Sequence, residues 1–259
     1  MTVKQLSPIA NDPQGRFGPE EWGLRVQLAA FYRLLAKFHM ADLIYTHVSV
    51  QIPGPGEHYL LNPYGLLFEE VTASSLVKYD AKNNILDDSP FGINPAGYTI
   101  HTAVHKARPD ALCVAHTHTR AGCAVSTMEC GLLPLDQAAF FFYDRIAYND
   151  YFYADTVEAC DRMVEDLGDR RAMIMRNHGL LTIGRTIPEA FVLMYHLDKA
   201  CEIQMDACAT GKKLVLPPPE VCESSARAFW DEPNGGPLGQ LEWDALVRRL
   251  DREDDSYKS

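Results

Sequence analysis

The 259-residue chain is 47% apolar, enough to bury a sizeable core, and carries a formal net charge of −11 from 35 acidic and 24 basic side chains. That acidic balance excludes nucleic acid and anionic membrane as natural partners, because both select basic faces, and leaves a small molecule as the expected ligand. No apolar run reaches the roughly 18 residues that span a bilayer, the opening MTVKQLSPIANDPQGRF lacks an export pattern, and the seven cysteines include no CxxC pair; a cytoplasmic protein with reduced, mostly buried thiols is expected.

Residues 1–18 are polar and punctuated by proline and glycine, and read as an N-terminal extension. Leu24, Leu28, Phe31, Leu35 and Phe38 then recur at helical spacing, which predicts a core-facing amphipathic helix. IYTHVSVQI (44–52) and HYLLN (58–62), joined by PGPGE, predict a β-hairpin. Thr72 and Ser74 are candidate helix caps ahead of a strand-like LVKYD, and ILDDSPFGINPAG reads as loop. TIHTAVHKA (99–107) predicts a helix stopped by Arg108-Pro109. ALCVAHTH follows as a buried strand, and a short helix is expected over 119–128. AMIMRNHGLLTIG (172–184) reads as two strands around the turn Asn177-His178-Gly179, and 187–210 as a long helix with Pro188 in its first turn. Strands and helices thus alternate in one mixed α/β domain over 19–212. Residues 213–259 form a tail with one short helix, LEWDALVRRLD, that either packs on a neighbour or stays free.

The chemistry-bearing residues are histidines. In a strand, residues i and i+2 share a face, so His116 and His118 can direct ring nitrogens to one point about 2.0–2.2 Å from each. Two half-buried polar residues at a strand end would give the same pattern. His178, in a turn between apolar strands, is the best candidate for a third ligand, with a hydrogen-bonded structural histidine as the alternative. Three histidines with an open position make a catalytic metal site for zinc, manganese or iron. His101 and His105 have chelating i, i+4 spacing but no following glutamate, and are read as structural. His47 could face solvent or a cleft. GxGxxG, GK[ST] and GxSxG are all absent.

LIYTHVSV, LLNPYGLLFEEVTASSLVKYD, the long segment from INPAGYTIHTAVHKARPD through THTRAGCAVSTMECGLLPL, AYNDY and RNHGLLTIG together resemble the class II aldolase and adducin head-domain family. The likeness is to its adducin-like branch, bacterial members included, more than to the sugar-phosphate aldolases. It implies a three-layer αβα fold with a central, mainly antiparallel sheet, C4 homotetramers with sites near subunit interfaces, and a divalent metal on His116, His118 and His178, zinc before manganese or iron. The resemblance breaks at the carboxylate that serves the aldolases as metal ligand and general acid or base. That position, nineteen residues before His116, is Gly97. A tyrosine proton donor that reaches into the neighbouring subunit's site falls on Gln137, and the phosphate loop is replaced around Thr46-His47, Tyr64-Gly65 and Pro95-Ala96, with Gly65 alone matching.

The resulting expectation is a divalent-metal-dependent, aldolase-like lyase. It would act on a small hydroxy- or keto-acid or sugar-like carbonyl substrate through a metal-stabilised enolate, with His47, Tyr64 or Gln137 as catalytic candidates. Two alternatives stand beside it: a non-catalytic, adducin-like oligomerisation or binding module, and a non-haem iron oxygenase or decarboxylase on the same triad. Arg120, Arg176 and Lys78 are candidate carboxylate clamps, with a surface or structural ion pair as the commoner role of each.

Overall fold

Helix α1 (Pro19–Lys37) begins with Pro19 in its first turn and Glu20 and Glu21 at the positive end of its dipole. Leu28, Phe31 and Leu35 of the sequence-predicted stripe are fully buried, with Leu24 and Phe38 at its margin. The structure, a computed structural model, describes residues 15–151, 156–231 and 236–259, so most of the N-terminal extension lies outside the described residues.

The expected hairpin is strands β1 (His47–Ile52) and β2 (His58–Leu61), antiparallel with Val50 opposite Leu60. Strand β3 (Val77–Asp80) pairs with β2. Thr72 and Ser74 cap no helix: Ser75 Oγ accepts from Thr72 N–H and donates to the Thr72 carbonyl, closing a turn. Helix α2 (Pro95–Ala107) starts four residues before the expected position. The Asn94 side chain accepts from Ala96 N–H and Pro95 supplies a helix-compatible φ, so the NPAG stretch read as loop is a capped first turn.

Strand β4 (Cys113–Thr117) is buried throughout, and α3 (Arg120–Ser126) follows with Thr119 as its N-cap. Helix α4 (Gln137–Phe140), capped by Asp136, strand β5 (Ile146–Asn149) and helix α5 (Val157–Leu167) had no sequence-based assignment. Strands β6 (Ala172–Met175) and β7 (Gly179–Gly184) flank the RNH turn, and α6 (Ile187–Ala209) is the long helix. Among its described residues the tail holds two α-helices where one short helix was expected, α7 (Pro219–Asp231) and α8 (Gln240–Glu253).

The strands form one seven-stranded sheet in the order β3-β2-β1-β4-β7-β6-β5, antiparallel except for β5 against β6. Strand alternation divides its core residues. Val48, Val50, Cys113, Ala115, Ile174 and Leu180 join α1 and α6 in the larger apolar cluster. Val114, Met173, Leu181 and Ile183 meet Ile100 and Val104 of α2 and Met163 and Leu167 of α5 on the other face. Helices therefore cover both faces, giving the three-layer αβα arrangement. The tail belongs to the first layer: Trp243 packs 6.3 Å from the Phe31 ring and 5.8 Å from Phe191, and Leu250 and Tyr257 lie in the same core.

Candidate metal centre and its histidine surround

Three chain segments bring the histidines together. His116 is the penultimate residue of β4, opposite His47 of β1, and His118 follows two residues on, on the same face. His178 comes from the turn before β7. Asn177 adopts a left-handed φ of 56° there, a conformation that asparagine tolerates. Gly179 lets β7 begin tight against β4, since a Cβ on it would lie 2.3 Å from the Thr117 carbonyl oxygen. The RNHG sequence is thus the turn geometry that presents His178.

The three Nε2 atoms converge, 2.8 Å between His116 and His118 and 2.9 Å between His118 and His178. The opposite nitrogens are held from behind. His116 Nδ1 donates to the Leu180 carbonyl at 2.9 Å, and His118 Nδ1 lies 3.1 Å from Asp42 Oδ2. With hydrogens fixed on those Nδ1 atoms, His116 and His118 both turn Nε2 lone pairs towards the same point, an arrangement that repels unless a cation lies between them. Burial, then the neighbouring imidazoles, lowers the His116 pKa well below the usual histidine range, and the same causes bring His178 down to about 4. Neutral imidazoles are what a divalent ion requires, and the donor set fits one. Among the described residues, this is the one group of three or more such side chains close enough to hold a metal ion.

A second histidine cluster adjoins the first. His47 and Ser49 project from one face of β1, and Gly97, His101 and His105 from the facing side of α2. His47 Nδ1 lies 2.8 Å from His101 Nε2, and Ser49 Oγ lies 2.7 Å from both His101 Nδ1 and His105 Nε2. His105 Nδ1 donates to the Ala111 carbonyl at 2.7 Å. Burial, followed by neighbouring imidazoles, lowers the pKa values of His47 and His101 well below normal; burial holds His105 at about 4. The His47 ring centre is 5.2 Å from that of His116.

Other sequence candidates fall elsewhere. Tyr64 is partly exposed and donates its backbone N–H to the Gly92 carbonyl; Gln137 opens α4 and lines a cavity of about 630 Å³ with Phe141, His196 and Lys199. No hydrogen bond, ion pair or ring contact among the described residues joins either side chain to the triad. Lys78 is paired with Glu21, and Arg176 donates to the Met128 carbonyl and stacks on Tyr148, so both candidate clamps are engaged structurally. Arg120 lines another cavity with His39 and Asp198. Sequence reasoning missed Asp42, in a segment where His39, Leu43 and Thr46 all have positive φ, and Tyr151, whose ring lies 6.1 Å from that of His178.

The family profile described as Class II Aldolase and Adducin N-terminal domain matches residues 26–205. An aldolase II superfamily protein from Pseudomonas syringae has a crystal structure that superposes with a TM-score of 0.91 at 46% identity, covering 95% of this chain and 99% of that one. A provisionally named class 2 aldolase protein of Caulobacter vibrioides is 44% identical over 245 residues, 94% of this chain and 95% of its own. Mouse alpha-adducin is 40% identical over 270 residues, which are 97% of this chain and 36% of alpha-adducin, so the chain spans about a third of that relative.

Proposed function

The chain belongs to the class II aldolase and adducin N-terminal domain family, and from that membership we propose that it is a divalent-metal-dependent lyase acting on a small hydroxy- or keto-acid or sugar-like carbonyl substrate. The observation that carries this reading is the convergence of three Nε2 atoms with two of their rings locked from behind by the Leu180 carbonyl and Asp42. His116, His118 and His178 would hold the ion. Zinc suits three neutral imidazoles with an open position, and manganese or iron are the alternatives. A divalent cation there supplies Lewis acidity to a chelated carbonyl or hydroxyl oxygen.

The protein's own part is to orient the ligands and to receive the substrate's hydroxyl proton, which aldol cleavage must release. Gly97 cannot do the latter. The active form we propose is a cytoplasmic homotetramer. Leu43 is 68% and Tyr151 58% exposed, the first next in sequence to Asp42 and the second beside His178, apolar surface that a second copy would cover. Among the described residues no helix is long and apolar enough to cross a membrane.

The test is metal analysis of the purified protein, followed by a carbon–carbon cleavage screen over small hydroxy-acids, keto-acids and sugars with and without chelator. Metal-dependent cleavage of one substrate class supports the reading. Gly97 also favours a second reading, a binding or oligomerisation module; bound metal without chelator-sensitive turnover across the panel would support it.

A further inference from the structure

Building on the metal-dependent reading, we propose that a buried line through His101, Ser49 and His105 to the Ala111 carbonyl fixes His47 as a hydrogen-bond acceptor beside the triad, and that the substrate meets it through a hydroxyl group. His47 would be the residue that touches substrate, and His101, Ser49 and His105 would be positioning residues.

With neutral rings, the line has one polarity. The Ala111 carbonyl oxygen has no hydrogen to give, so His105 Nδ1 donates to it across 2.7 Å. Neutral His105 then has an acceptor at Nε2, 2.7 Å from Ser49 Oγ, and the single Ser49 hydroxyl hydrogen goes there. Only lone pairs remain on Ser49 Oγ for His101 Nδ1 at 2.7 Å, so that nitrogen carries hydrogen. His101 Nε2 is therefore an acceptor, and across 2.8 Å it takes the hydrogen of His47 Nδ1. Nε2 of His47 is left bare, and no hydrogen bond to it is made among the described residues.

The ring is not free to turn away from that state. His47 is 3% exposed, edge-on to His101 at a ring separation of 4.5 Å, with the Gly97 backbone against its other edge. A cationic ring would reverse the polarity from that point on, but all three rings are buried, which disfavours the charged form.

A bare acceptor beside a metal centre discriminates between ligands. A hydroxyl hydrogen satisfies it; a keto or carboxylate oxygen in its place brings lone pair against lone pair and leaves the nitrogen unpaired. A 2-hydroxy acid or hydroxyketone carries such a hydrogen, and a 2-keto acid without a further hydroxyl does not. The substrate class therefore narrows to hydroxyl-bearing compounds.

The test uses the full-length, zinc-loaded protein and two measurements. Two-bond proton–nitrogen NMR of the histidine rings is expected to show His47 with hydrogen on Nδ1 and none on Nε2, and Ser49→Ala to give mixed tautomers at His101 and His47. Calorimetry with lactate and pyruvate as probes is expected to favour lactate by about tenfold or more. That preference should fall to about twofold or less in Ser49→Ala and His47→Phe, with metal content unchanged. Hydrogen on His47 Nε2, one unmixed His47 tautomer in Ser49→Ala, or equal binding of the two acids by the wild type would each overturn the proposal. Lactate selectivity without any cleavage activity would instead count against the lyase reading and leave the assignment of His47 standing.

Discussion

Gly97 and His47 compete for one volume: a Cβ built on Gly97 would sit 2.7 Å from His47 Cδ2 and 2.8 Å from Cγ. The missing carboxylate and the presence of a buried imidazole are thus two sides of one packing choice. Alanine at an ordinary helical glycine would add about 1 kcal/mol of stability through propensity. Here the overlap is with a ring pinned by His101, and Gly97→Ala is expected to cost a net of about 1–3 kcal/mol. Urea unfolding checks it; an unchanged or raised midpoint would mean that His47 has room to move.

His105 makes acid stability predictable in sign. Burial holds it at about 4 in the folded protein, below the usual 6.5. A depressed folded value means that its contribution is fully present above pH 6.5 and is lost as pH falls towards 4. The gap between the two values is worth about 3 kcal/mol. Unfolding free energy of the metal-free protein should fall across that window. His105→Gln should be less stable at pH 7 but show a shallower fall; parallel curves would remove His105 from the account.

The tail is part of the core. Trp243→Ala should destabilise the protein by about 3–5 kcal/mol, because the indole fills space against Phe31 and Phe191. A loss below about 1 kcal/mol in thermal or urea unfolding would show that α8 is dispensable to the body.

Asp42 acts on the metal centre from behind. Asp42→Asn weakens the acceptor for His118 Nδ1–H and is expected to lower divalent-metal affinity about 10–100-fold with the fold retained. Competition with a chromophoric chelator measures this. Unaltered affinity would mean that the 3.1 Å contact does not orient the ring.

Much of this was legible in the sequence where one local rule sufficed. Strand periodicity put His116 and His118 on one face, and Asn177 and Gly179 marked the turn that delivers His178. His47 and Ser49 at i, i+2 and His101 and His105 at i, i+4 were equally visible as same-face pairs. That β1 and α2 present those faces to each other is a tertiary fact that neither period contains. Asp42 lies 76 residues from the histidine it orients, in an irregular segment, so no spacing rule reaches it. Helix α7 was hidden behind a proline run whose last member, Pro219, starts the helix. Tyr64 and Gln137 rested on correspondence with relatives, Gln137 for the site of a neighbouring subunit, and within one chain neither side chain makes a hydrogen bond or ring contact with the triad among the described residues.

The most direct test is a zinc titration of chelator-stripped wild-type protein and His116→Ala by calorimetry, with circular dichroism to confirm that the variant is folded. One tightly bound ion per wild-type chain and its loss in the variant are expected. Equal, tight binding by folded His116→Ala would contradict the assignment of the triad as the metal centre.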